Sequence, residues 1–359
     1  MKKRLLLLIF FALLTIQFSC SSDEKTTEPI VEDTFIRAAD VSFLPLIESE
    51  NTIFYNANQP ENVLTTLKNA GCNTIRIRLW KNPTDSHSGL AEVKALAQRV
   101  KQAGMKVWLT VHYSDSWVDP GNQTTPTAWQ NLSFADLKLA VASYTSTVLT
   151  EINPDIIQIG NEINSGLLWP KGNLINQESQ CLELLAIASA KIREQAPNTK
   201  IMIHYAGIDG GATWFFNKMN TLDYDYIGLS YYPIWHGKSL VNLKNTINTL
   251  GLAHNKKVII AETAYPFTLD WNDWTNNVVG QNDQIIPDYP ATPEGQKNFM
   301  MAIKNTLKET DYGQGFAYWA TEWVAFRGNE ATNGSSFENQ AMYDFNNNAL
   351  PVMQVFNTN

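Results

Sequence analysis

Positive charge is in short supply in this chain: 27 Lys and Arg stand against 35 Asp and Glu, a net charge of −8. Without clustered cations to displace counterions from a phosphate backbone, nucleic acid is excluded as a partner. Cysteine is scarce, three in 359 residues, and no CxxC or Cys/His spacing suggests a zinc site. Leu5 to Ile16, the apolar run near the start, covers 12 residues, against the roughly 20 of a bilayer-spanning helix. Charged residues are only 17% and hydrophobic ones 44%, so disorder is excluded: enough apolar area can be buried to offset the ordering entropy. Aromatic residues, by contrast, are plentiful. With 11 Trp, 13 Tyr and 16 Phe there are more polar-tipped rings than a core requires, and such rings stack on the apolar faces of sugars.

Lys2, Lys3 and Arg4 precede the apolar run, and Ser19-Cys20 follows it. This order predicts a lipoprotein signal peptide over 1–19, with Cys20 becoming the lipidated first residue; an ordinary signal peptide cleaved nearby is the alternative. Residues 20–34 are polar and Pro-bearing, as in a flexible tether. Cys72 and Cys181 lie before a strand and at the head of an apolar helix, positions that favour two buried single thiols over a disulfide.

From residue 36 onward, apolar and β-branched runs alternate with amphipathic helical patterns. Eight strands are predicted: Ile36–Ser42, Thr74–Trp80, Lys106–His112, Ile156–Asn161, Lys200–His204, Tyr226–Tyr231, Lys257–Glu262 and Gly315–Trp319. Their spacing is that of βα units, far wider than the 8 to 12 residues of a sandwich. Helices are predicted between them over Glu61–Ala70, Leu90–Ala103, Phe134–Thr150, Glu178–Gln195 and Pro293–Thr310, two of them closed by Gly71 and Gly104. Eight units imply an α/β fold of one domain, a single (β/α)8 TIM barrel over 35–359, with extended βα loops forming an open substrate cleft.

In such a barrel the chemistry sits at the carboxyl ends of the strands. Those ends carry Asp40, Arg76 and Arg78, His112 and Asp115, Asn161 and Glu162, His204, Tyr231 and Tyr232, Glu262, and Trp319. Glu162 ends strand four and Glu262 ends strand seven, across the mouth from each other. Glycoside hydrolysis needs such a pair, one carboxyl protonated to donate and one ionised to attack or to activate water. Asn161 can offer its amide to a sugar 2-hydroxyl. Arg76 and Arg78 share one strand face, and one of them can hold the charge of Glu262, with an internal salt bridge as the alternative for each. Tyr231 or Tyr232 can bond Glu262. Trp319 is placed to floor the site, with Trp117, Trp169 and Trp235 extending a groove. A metal-dependent reading would use His112, His204 and His236, but three well-placed ligands with partners behind them are not evident in the spacing.

These residues resemble the endo-β-1,4-galactanases of glycoside hydrolase family 53. The resemblance rests on ADVSF at 39–43, GCNTIRIRLW at 71–80, HYSDSWVDPG at 112–121, QIGNEINSGLLWP at 158–170, GLSYYPIWHG at 228–237 and AETAYP at 261–266. It implies Glu162 as acid/base and Glu262 as nucleophile, retention of configuration, and linear β-1,4-galactan of plant pectin as substrate. Asp40, Arg76, His112, Asp115, Trp117, Asn161, Trp169, Tyr231, Tyr232, Trp235 and Trp319 are the substrate-binding candidates. The chemistry itself is expected to need no cofactor. Bacterial members bind calcium in the loop after strand seven, which here offers Asp270, Asn272, the Trp274 carbonyl and Asn276, oxygen donors of the kind calcium takes. Strand eight departs from the family pattern: Tyr-Trp-Glu-Pro-x-Trp is replaced by YWATEW at 318–323, so Glu322 is displaced. The residues after Cys20 resemble the acidic export signal of Bacteroides-group surface lipoproteins, which implies anchoring at the outer membrane through the lipid. A monomer acting in endo fashion is expected. The alternatives are a surface glycan-binding lipoprotein without turnover and a related retaining β-glycanase with another substrate.

Overall fold

The computed structural model describes residues 34–358 apart from Ser86. The expected signal peptide, the lipidated Cys20 and nearly all of the tether lie outside the described residues. The compact unit runs from Phe35 to Asn359.

Eight parallel strands close into a barrel: β1 (Ile36–Asp40), β2 (Thr74–Leu79), β3 (Lys106–Val111), β4 (Ile156–Ile159), β5 (Lys200–Ala206), β6 (Tyr226–Ser230), β7 (Lys257–Thr263) and β8 (Gly313–Tyr318). Each pairs with the next, and β8 returns to β1, with Ile36 opposite Gly315. All eight lie within two residues of their predicted bounds. His112, Asn161, Tyr231 and Trp319 therefore fall just past the strand ends, in the loops of the catalytic face. The predicted helices form as Val63–Ala70, Leu90–Gln102, Phe134–Ile152, Glu178–Gln195 and Pro293–Lys308. Their starts are set by local chemistry, the side chains of Asn62, Ser133 and Thr292 each accepting from a backbone N–H of the first turn. Gly71 ends the first of them at φ 100°, and a Cβ there would lie 2.5 Å from the Phe356 carbonyl oxygen.

Alternate residues of each strand point into the barrel. Toward the amino ends of the strands these are apolar, and Ala38, Trp108, Ile156, Met202, Ile259, Ala261 and Ala317 fill the interior as one cluster. One layer up the same faces carry Arg76, Thr110, Gln158 and His204, all buried. Each helix presents its apolar stripe to the outer side of the strands, in a second and larger core that includes Leu64, Leu96, Leu184 and Phe299. Cys72 and Cys181 are both free and buried in it, and burial pushes each thiol up to about 12.

A register shift sets the position of one functional residue. Leu229 pairs with Ile260 but Ser230 pairs with Glu262, and on the other flank Phe316 pairs with Ile260 but Tyr318 with Thr263. The bulge in β7 inserts one residue, so Glu262 faces inward although Ala261 does so as well.

Candidate active site

Trp108, fully buried, forms the ceiling of the apolar plug, and the Arg76 guanidinium lies 5.7 Å from its ring centroid. Arg76 then reaches three strands. Nη1 donates to Asp40 Oδ2 at 2.6 Å, and Nη2 donates to Glu262 Oε1 at 2.6 Å and to Asn161 Oδ1 at 3.0 Å. Tyr232 donates from its hydroxyl to Glu262 Oε2 at 3.1 Å. Burial pushes the Glu262 carboxyl upward, and the Arg76 charge opposes that shift.

Glu162 has a different environment. Its Oε1 accepts the Ser230 hydroxyl at 2.5 Å, and no cation bonds it. Burial, then the charge of Glu262, raises its carboxyl to about 8. Carboxylate oxygens of Glu162 and Glu262 approach within 4.8 Å. Two neighbouring carboxyls in unlike surroundings, one bonded by a guanidinium and a phenol and one raised by burial with no cation bonded to it, can divide the roles of nucleophile and acid between them. The Glu162 backbone is left-handed, φ 46°, a strained conformation for Glu. Its N–H donates to His204 Nδ1 at 3.3 Å and its carbonyl accepts from Gln123 Nε2 at 3.2 Å.

Above the pair lies a cavity of about 220 Å³. Of the sequence candidates, Arg76, Arg78, His112, Trp117, Asn161, Glu162, Tyr232, Trp235, Glu262 and Trp319 line it together. His112 Nδ1 is buried without a protein partner, and burial lowers its pKa well below the ordinary value, leaving the ring neutral. Trp235 is 56% exposed at the rim.

Four candidates sit elsewhere. Asp40 lies behind Arg76, its oxygens taken by that guanidinium and by Ser42. Asp115 accepts the Thr127 N–H and ties down its own loop, while Asp119, not singled out from the sequence, lines the cavity. Tyr231 is fully buried, its hydroxyl donating to the Gly237 carbonyl and its ring stacked on Phe299. Adjacent residues of an extended segment face opposite sides, so Tyr232 bonds Glu262 and Tyr231 closes the outer core. Trp169 donates from Nε1 to the Ser165 carbonyl within the loop after β4 and does not reach the cavity.

Arg78 makes neither of the expected contacts. Its Nε donates to Ser88 Oγ at 2.9 Å, and its guanidinium packs over the rings of Trp117, Phe43 and Trp80 at 4.1, 4.5 and 4.6 Å. Burial lowers its pKa to about 10. The displaced Glu322 is fully buried, and one oxygen accepts the Phe43 N–H at 2.8 Å. Burial raises it well above the carboxylate range, so it braces the loop after β1 as a neutral acid. Ser230 was missed by the sequence reading. Strand parity from Gly228 would have turned it inward.

Among the described residues the three histidines do not come together as a ligand set; His204 alone has a ring nitrogen within 4.8 Å of carboxylate oxygens, those of Glu162 and Glu262. His204 Nδ1 faces the Gln158 amide and the Glu162 N–H, and Nε2 faces Ser230. His236 Nδ1 accepts the Tyr232 N–H. In the loop after β7, Asp270, Trp274 and Asn276 are exposed and Asn272 half-buried. Glu338 Oε1 accepts the N–H groups of Asn272 and Asp273, and the oxygens Asp273 Oδ2, Asn277 Oδ1 and Glu338 Oε2 are buried without partners.

A (β/α)8 barrel whose mouth holds an unlike pair of glutamates, an arginine clamp and a lining of tryptophans is a glycoside hydrolase. The model of glycosyl hydrolase family 53 matches residues 36–356. The chain belongs to that family. It is 31% identical to an endo-β-1,4-galactanase of Bacillus subtilis, with 92% of this chain and 87% of that protein covered. It is 32% identical to an arabinogalactan endo-β-1,4-galactanase of Cellvibrio japonicus, with 90% of each covered. The solved family 53 catalytic domain of Ignisphaera aggregans superposes with a TM-score of 0.85 at 36% identity, covering 91% of this chain and 97% of that one.

Proposed function

We propose that the protein hydrolyses β-1,4-galactosidic linkages of galactan and arabinogalactan side chains with retention, Glu162 acting as acid/base and Glu262 as nucleophile. The observation that carries this is the unlike pair: Glu262 Oε1 is 2.6 Å from Arg76 Nη2, whereas the uncompensated Glu162 is raised to about 8. In the first step Glu162 gives its proton to the glycosidic oxygen as that bond breaks and a Glu262 oxygen bonds the anomeric carbon. In the second, water gives a proton to Glu162, its oxygen takes the anomeric carbon, and Glu262 recovers its electron pair. Asn161, held by Arg76, faces the sugar beside the reacting bond, and Trp319 and Trp235 supply ring platforms. The test is reducing-sugar release from linear β-1,4-galactan by the chain from residue 35, beside Glu162→Ala and Glu262→Ala, with arabinan, mannan and cellulose as controls. Loss of galactan cleavage in both variants supports the assignment. Cleavage of another β-glycan alone would keep the chemistry and remove the substrate, and binding without turnover would make this a glycan-binding protein. The cavity opens to exposed Trp, which supports endo action; monosaccharide as the only early product would refute it.

Three further readings belong here. The loop 270–277 is read as a Ca²⁺ site; the reading is supported by the oxygen donors Asp270, Asn272, the Trp274 carbonyl and Asn276 and by the buried unpartnered Glu338 Oε2 beside them. Residues 1–20 support export and lipid attachment at Cys20, and the acidic residues that follow support anchoring at the outer-membrane surface; a Cys20→Ser variant would then fail to incorporate labelled palmitate. The acid, the nucleophile and the arginine clamp all come from one chain, which supports action as a monomer, measurable by light scattering.

A further inference from the structure

The geometry around Glu162 contains a second line of hydrogen bonds that the two-glutamate mechanism does not use. It begins at a backbone group. The Glu162 N–H can only donate, and it points at His204 Nδ1 at 3.3 Å, so Nδ1 is an acceptor. The Gln158 Nε2 amide, oriented by the Gly160 carbonyl at 3.0 Å, approaches the same nitrogen at 2.9 Å. Burial lowers the His204 pKa well below its ordinary value, so the ring is neutral and its one proton sits on Nε2. That nitrogen lies 3.0 Å from Ser230 Oγ. With a donor already facing its oxygen, Ser230 must send its own proton onward, to Glu162 Oε1 at 2.5 Å.

We propose that His204 and Ser230 are positioning residues that distinguish the two oxygens of Glu162, keeping Oε1 a permanent acceptor so that the catalytic proton resides on Oε2. The inference rests on Glu162 being the acid/base. In glycosylation the Oε2–H proton passes to the leaving oxygen, and the anion left on Glu162 is met by the Ser230 hydroxyl. In deglycosylation a water proton returns to Oε2 while the water oxygen bonds the anomeric carbon and the Glu262 ester bond breaks. Through both steps the His204 and Ser230 protons stay where they are, so the relay aims and stabilises without exchanging anything. His204 holds the other end as well, because its Nδ1 anchors the left-handed Glu162 backbone. The ring thus ties the position of the peptide to the orientation of the carboxyl it carries.

The charged and titratable groups facing Glu162 are Glu262, Arg76, Asp119, Tyr232 and His204, and of these only His204 touches Ser230, through its neutral Nε2–H. The experiment is a 13C titration of the Glu162 side-chain carboxyl in protein labelled at glutamate Cδ, assigned by its absence in Glu162→Gln and needing no substrate. In Ser230→Ala the Glu162 midpoint should rise by about one pH unit, since a donor to the charged form is lost. Ser230→Cys, of similar volume and with a weaker donor, should fall between and guards against a folding defect. The same shift should appear in the alkaline limb of kcat/KM on whichever β-glycan the wild type cleaves. Release of a 2,4-dinitrophenyl leaving group, which needs no proton, should stay within about twofold. An unmoved midpoint in both variants, or equal losses on the two substrates, overturns the proposal. Inactivity of the wild type on galactan would remove the substrate assignment while leaving the titration result intact.

Discussion

Replacing Arg76 by Gln tests how one cation holds the site together. Arg76 makes two ion pairs of 2.6 Å, with Asp40 and Glu262, and all three side chains are at most 8% exposed. Removing the charge leaves two buried carboxylates uncompensated, and breaking a buried pair from one side costs about 3–5 kcal/mol. Over the roughly 325 residues from Phe35 to Asn359, an unfolding entropy of about 2.1 cal/mol/K per residue converts this to a Tm lowered by about 4–7 °C at neutral pH. The loss depends on pH in a defined direction. Burial already raises Glu262, and only Arg76 and the Tyr232 bond hold it down, so in Arg76→Gln its folded value climbs further above that of the unfolded chain. Between those two values the folded state binds more protons than the unfolded one, and stability falls as pH rises through the interval. The Tm difference from wild type should be small near pH 4–5 and largest at pH 8, read by calorimetry at both. The acid limb of kcat/KM should move upward in parallel, because the nucleophile must be ionised. A Tm difference of equal size at the two pH values, or one below about 1 °C, would refute the role of Arg76 as the counter-charge of this site.

Further outcomes are expected. Glu262→Ala should abolish turnover and retain oligosaccharide binding by calorimetry, since the ring platforms remain; loss of both with a native fold would make this glutamate structural. Glu162→Gln should lower kcat/KM on galactan by about 10²–10⁴-fold and spare a dinitrophenyl galactoside. The alkaline limb of wild-type kcat/KM should lie near the Glu162 value of about 8, activity being lost above it as the acid deprotonates. Trp235→Ala should raise KM for galactan by about 2- to 10-fold with kcat within twofold, the loss of one exposed ring platform. Chelation should lower Tm, and added Ca²⁺ should restore it, if the loop 270–277 is a calcium site.

The barrel was legible because its two periods alternate regularly, and strand ends then nominate a mouth. Glu162, Glu262, Arg76 and Trp319 followed from that logic alone. Local irregularities were less legible. The bulge in β7 turns Glu262 inward against simple alternation, and no residue around Ala261 announces it. The choice between Tyr231 and Tyr232 depended on where β6 stops, at Ser230, a boundary that composition leaves loose by a residue. Asp115 and Asp119 lie four apart in one loop, and only its folded path shows which carboxylate faces the cavity. For Arg78 the sequence offered carboxylates as partners, whereas three rings surround it.

The closure of β1 onto β8 has a consequence for how this chain acquires its shape. Ile36 must find Gly315, a partner nearly the whole length of the barrel away, so closing the barrel carries the largest loop-closure cost of any strand pairing in it. During synthesis every segment up to β7 can emerge and pair with its neighbour while two raw strand edges, those of β1 and β7, stay open to any passing strand. Only when the β8 segment Gly313–Tyr318 arrives are both edges covered, and Trp319 is delivered to the mouth in the same event. A nascent chain stalled before that point is therefore both aggregation-prone and inactive, and the last strand serves as the clasp that makes solubility and catalysis appear together.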